Sequence, residues 1–174
     1  MDSESANPQL QPIREVLDPD TFIPLLVRFG IAESEAAPIA YGLDPMLEKT
    51  PRKFAWYEGS IERALDLMRT PAEHQLSADI VATTAALILA LRKEKLQVLA
   101  IQDSAGGYLI QAEVPPSFWA NSEPGTLLFR IMRQQLGGIL VTAEPAFRGA
   151  SYGRGKRFIR RIFQAIDAYL QRLA

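Results

Sequence analysis

The chain has 174 residues, 48% hydrophobic and 22% charged, with a formal net charge of −1 and no cysteine. That length and mix fit one folded domain with a real core, or one with a small helical appendage, and are unlike a disordered chain. The missing cysteines exclude disulfides, thiolate metal ligands and cysteine nucleophiles.

The N-terminus, Met1-Asp-Ser-Glu, has no secretory pattern, and the longest apolar run, Ile80 to Leu91, is shorter than the roughly 20 residues a bilayer span needs. A cytoplasmic protein away from membranes is the expectation. The small net charge hides an asymmetry. Residues 1–50 carry nine acids and three bases, whereas residues 148–174 carry seven bases and Asp167 alone.

Residues 1–12, polar and with Pro8 and Pro12, read as a mobile tail. Residues 13–59 read as a small helical segment and a connection. Asp18 or Asp20 caps a first helix bearing Phe22, Ile23, Leu25, Leu26 and Phe29, which Gly30 stops. A second runs from about Glu33 to Tyr41. The connection contains Arg52-Lys53-Phe-Ala-Trp56-Tyr57, cations interleaved with aromatics, a combination that anchors protein interfaces or stacks on bases.

Residues 60–174 read as an α+β core domain. Ser60 caps a helix bearing Ile61, Ala64, Leu65 and Met68. Thr70-Pro71-Ala72-Glu73 has the form of a capping box with proline at the first helical position, so a long buried helix is expected from there to about Glu94. His74, the single histidine, would stand in its first turn and reads as structural or exposed.

Leu96–Gln102 and Tyr108–Val114 form a hairpin around a five-residue loop. Phe118 and Trp119 follow in a loop. Leu127, Leu128, Ile131, Met132 and Leu136 fit a helical stripe after Thr126, with Gly137 as its stop. Residues 139–143 form a short strand, and a last helix covers about Gly155 to Leu173. The order is a helical N-terminal half followed by α-β-β-α-β-α. A small, mostly antiparallel sheet should pack against the buried helix and the C-terminal helix.

The candidate site is the start of the last helix. Arg148, Arg154, Lys156, Arg157, Arg160 and Arg161 crowd it, around the glycines of Gly149-Ala-Ser-Tyr-Gly153-Arg-Gly155. Cations are disfavoured at a helix N-terminus by about 0.3–1 kcal/mol each, so their concentration there points to an anionic counterpart. The segment departs from the phosphate loop of nucleoside triphosphatases: five residues separate Gly149 from Gly155 instead of four, and Arg157 replaces the hydroxyl residue that would hold magnesium.

The reading is a non-enzymatic binding or adaptor protein that engages an acidic protein surface, on another protein or a second copy. Arg52, Lys53, Trp56 and Tyr57 assist as anchors. Nucleic acid, with the same cations on phosphates, is the alternative. Against it stands a sequence pI near 5.9. A weaker alternative is a metal-dependent nuclease using Asp103 and Glu113. No catalytic set, metal site or cofactor is otherwise indicated.

Overall fold

A computed structural model describes residues 18–41, 72–104, 106–114, 125–146 and 152–173. It is an α+β fold. The described elements are α1 (Pro19–Arg28), α2 (Glu33–Ala40), β1 (Ala72–Leu76), α3 (Ile80–Lys93), β2 (Gln97–Ser104), β3 (Gly107–Val114), β4 (Gly125–Arg133), β5 (Ile139–Ala146) and α4 (Tyr152–Gln171). The strands form one antiparallel sheet in the order β1-β5-β4-β3-β2. The expected Ser60 helix, the Arg52–Tyr57 segment and the Phe118–Trp119 loop lie outside the described residues.

One expected helix, and the start of another, are strands, and each difference has a physical source. Residues 72–76 pair with β5, from Ala72 opposite Ala143 to Leu76 opposite Ile139. The helix begins later, where the Asp79 carboxylate accepts from Val81 N at 3.0 Å and Ala82 N at 3.2 Å. The capping-box pattern at Thr70–Glu73 is therefore a coincidence of residue types in front of an edge strand. Within β1, Glu73 and Gln75 are exposed while His74 and Leu76 are half-buried, the period-two signature of a strand.

Residues 125–133 form β4, the middle strand of the five. Its apolar run fits helical spacing because a central strand is buried on both faces. Leu127, Phe129 and Ile131 point one way and Leu128 the other, all buried. Phe129 is the residue a helical stripe leaves out. Gly137, read as a helix stop, turns the β4–β5 hairpin instead, together with Gly138: the two adopt φ of 93° and 88°, and Gln134 N donates to Gly138 O at 3.1 Å. β4 and β5 are thus antiparallel neighbours with no helical crossover between them. The β2–β3 hairpin is also tighter than expected, with Ser104 opposite Gly107.

Helix α3 lies at the centre. Eleven of its residues, Ile80 and Ala82 to Leu91, are buried. One side faces β2, β3 and β4, which carry Ile101, Ile110 and Phe129, and α4 packs alongside through Ile159, Ile162, Ala165 and Ile166 and reaches β5. Phe22, Leu26 and Phe29 of α1 and Ala36, Ile39 and Ala40 of α2 join the same core. Residues 18–41 therefore share one apolar interior with the sheet rather than forming a separate unit. Phe29 meets Tyr169 edge-on at 5.8 Å between ring centres, and the Arg172 guanidinium donates to the Phe29 carbonyl. The expected caps hold: Asp18 caps α1, and Gly30, at φ 98°, closes it.

Candidate functional site

Helix α4 is amphipathic from Arg157 onward. Ile159, Ile162, Ala165 and Ile166 are buried, while Arg157, Arg160, Arg161, Gln164, Ala168 and Gln171 form the exposed row. The three arginines are thus neighbours at helical spacing, as the sequence implies.

The helix starts at Tyr152, earlier than expected, which changes the electrostatics. Arg157, Arg160 and Arg161 stand beyond the first turn, where the dipole effect has largely faded. Gly153 and Gly155 lie inside the helix, so no loop cradle of free N–H groups extends to Lys156. The expected repulsion between the cations and the helix terminus is consequently absent at these three arginines, whereas Arg154 stands in the first turn. What remains is their number on one exposed face. Arg154 and Lys156 are in the helix; Arg148, Arg52, Lys53, Trp56 and Tyr57 lie outside the described residues.

Arg161 is anchored. Its Nε lies 3.5 Å from Glu94 Oε2, and its guanidinium sits 4.7 Å from the Phe158 ring centre. That ion pair ties the basic row to the C-terminal end of α3, where Lys93 and Lys95 are exposed. Among the described residues, neither Arg157 nor Arg160 is in an ion pair. On the other side of the α3 terminus, Arg92 Nη1 lies 3.9 Å from Glu35 Oε2 of α2.

The end of α3 carries a backbone feature of its own. Leu96 N donates to Leu91 O and Lys95 N to Arg92 O, the paired bonds of a Schellman cap, with Lys95 left-handed at φ 59°. Helix α1 closes by the same bonds, from Ile31 N to Leu26 O and Gly30 N to Val27 O, but with glycine in the left-handed position. Lysine there costs backbone energy that glycine would not.

His74 has a partner the sequence did not reveal. Its Nε2 is 2.7 Å from Asp167 Oδ1, and its ring stacks on Phe163 at 4.9 Å and 11°. The interaction joins edge strand β1 to α4. Its groups are 93 residues apart, so only the sheet topology could have exposed it.

Asp103 and Glu113 are not brought together. Asp103 faces Tyr108 and Glu113 faces Gln97, at opposite ends of the hairpin and separated by about 20 Å of strand. Burial first, then the Asp103 carboxylate, pushes the Tyr108 phenol up. Among the described residues no three His, Asp or Glu side chains are grouped to hold a metal ion, and no helix is long and apolar enough to cross a membrane.

The sheet face opposite α3 and α4 carries a polar cluster. Register places Gln111, Leu128 and Glu144 side by side, with Arg130 and Thr142 in the next row. Gln111 is 2% exposed, Leu128 3% and Thr142 7%. Gln111 Nε2 and Glu144 Oε2 are buried without hydrogen-bond partners among the described residues. Burial pushes the Glu144 carboxyl up, and Arg130 opposes the shift.

The fold and the site together describe an α+β domain with a basic helical face. No family model, curated protein or solved structure matches the chain.

Proposed function

We propose that this is a cytoplasmic, non-enzymatic binding protein whose α4 face engages an acidic protein surface. The observation that carries the reading is the exposed row Arg157, Arg160 and Arg161, of which only Arg161 is neutralised among the described residues, by Glu94. Lys93 and Lys95 extend the positive surface at the adjoining end of α3. A lysine kept in a left-handed position where α1 uses glycine supports the same reading, because local strain is commonly retained where a side chain serves contact.

Binding of this kind works by steering. Cations on a rigid helix raise the encounter rate with an acidic patch, and the planar guanidinium fork can hold a carboxylate through two parallel hydrogen bonds. The face is fixed by the packed residues beneath it, so little ordering entropy is lost on docking.

The test uses immobilised polyglutamate and a fluorescent single-stranded oligonucleotide as probes, at low and high salt. Wild type should be retained on polyglutamate and Arg157→Glu/Arg160→Glu should not, with both proteins melting alike. Equal retention of the two would remove the basic face from the account. Tighter binding of the oligonucleotide than of polyglutamate, with a steep salt slope, would favour phosphates as the target instead.

A further inference from the structure

Two exposed patches of opposite sign flank the C-terminal end of α3. On one side α4 and the α3 terminus expose Arg157, Arg160, Arg161, Lys93 and Lys95. On the other, α1 and α2 expose Asp18, Asp20, Glu33 and Glu35, with Arg28 among them and Arg172, just past α4, bound at the Phe29 end of α1. Two ion pairs mark the border, Arg92 with Glu35 on the acidic side and Arg161 with Glu94 on the basic side.

Both patches belong to one rigid arrangement, because α1, α2, α3 and α4 share a core. Neighbouring patches of opposite sign are what a two-fold interface requires. Rotating a second copy by half a turn brings each basic patch to an acidic one, and both contacts form at once. Neutralisation within a single chain is limited to the border pairs among the described residues, leaving Arg157 and Arg160 facing outward. Tyr41, 44% exposed at the end of α2, supplies an aromatic anchor on the acidic side.

We propose that the acidic surface met by the α4 face is the α1–α2 surface of a second copy of this chain, in a two-fold, salt-sensitive dimer. This rests on the reading of α4 as an acid-binding face and names its partner. The interaction is chiefly charge–charge between exposed groups, so it should weaken as the screening length shortens.

Sedimentation equilibrium of the full chain tests it. Wild type should approach twice the monomer mass in about 20 mM salt, and its association constant should fall by about tenfold or more in about 300 mM salt. Arg157→Glu/Arg160→Glu and Asp20→Lys/Glu33→Lys should each be monomeric alone, since every contact then sets like charge on like. Mixed in equal amounts they should associate again, because both contacts of the mixed pair are complementary. Circular dichroism of each variant confirms the fold.

A wild type that stays monomeric in low salt overturns the proposal, as does a mixture that fails to associate. Retention on polyglutamate then separates two cases. If Arg157 and Arg160 still govern it, the acid-binding face stands and only the self-partner falls. If they do not, the underlying reading falls with it.

Discussion

Replacing Asp79 by alanine tests where the central helix begins. In the structure this carboxylate caps α3 by accepting from Val81 N and Ala82 N. Its removal leaves two backbone donors at the helix start without that acceptor and withdraws a negative charge from the positive end of the dipole. Loss of such a cap costs about 1 kcal/mol, within a range of about 0.5–2. For a domain of this size that is a fall of about 2–4 °C in melting temperature. Were Pro71 the helix start, position 79 would be a helix interior. Alanine would then improve propensity there by up to about 0.7 kcal/mol and raise stability. The two readings therefore differ in sign. Urea unfolding followed by circular dichroism gives the difference at a constant slope, and Asp79→Asn, which keeps an acceptor, should lie close to wild type. An alanine variant as stable as wild type, or more so, would refute the cap.

Four further outcomes are expected. Gln111→Leu should raise stability by about 1–3 kcal/mol in urea unfolding, since it removes a buried amide nitrogen with no partner among the described residues; a loss instead would reveal a partner for that nitrogen. Glu144→Gln should change the pH dependence of stability. Burial holds the folded carboxyl above its unfolded value, so the native state keeps the proton longer and stability falls as pH rises through that window. The variant should therefore gain on wild type as pH rises above the ordinary carboxylate value, and parallel curves would contradict this. Gly107→Ala should cost about 1–3 kcal/mol or more, because its added carbon would overlap the Ile131 carbonyl oxygen of the neighbouring strand; unchanged melting would show that the strands do not approach so closely. Lys95→Gly should stabilise the fold by about 1 kcal/mol while weakening retention on polyglutamate, and a change in stability alone would leave Lys95 without a part in binding.

The α+β class, the first two helices, the β2–β3 hairpin and the amphipathic last helix were legible because local chemistry agrees with tertiary context there. Asp18 and Gly30 bound α1 as their residue types predict, and the apolar period of α4 matches its buried face. The failures at β1 and β4 have opposite causes. Residues 72–76 are polar and short, and become a strand only because β5 pairs with them. Residues 125–133 are so apolar that period two and period 3.6 both fit, and only burial on two faces distinguishes them.

At the candidate site, the clustering of Arg157, Arg160 and Arg161 followed from spacing alone. The pairing of Arg161 with Glu94 depends on the packing of α4 alongside α3, and the left-handed backbone of Lys95 belongs to a local cap that a lysine does not signal. Asp103 and Glu113 looked close because a hairpin joins them, yet register sends them to its opposite ends. The acidic residues 1–50 and the basic residues 148–174, which composition left unrelated, each place one ion pair on the end of α3, Glu35 with Arg92 and Arg161 with Glu94.

The order of the strands also bears on how the protein is made. β1 leaves the ribosome before the central helix, yet the strand it hydrogen-bonds is made only after the whole β2–β4 meander. Until β5 and α4 follow, the nascent chain carries α3 without much of its cover. Completion of the fold therefore waits for β5 and α4, and chains cut short before Tyr152 should engage holdase chaperones rather than accumulate as partly native domains.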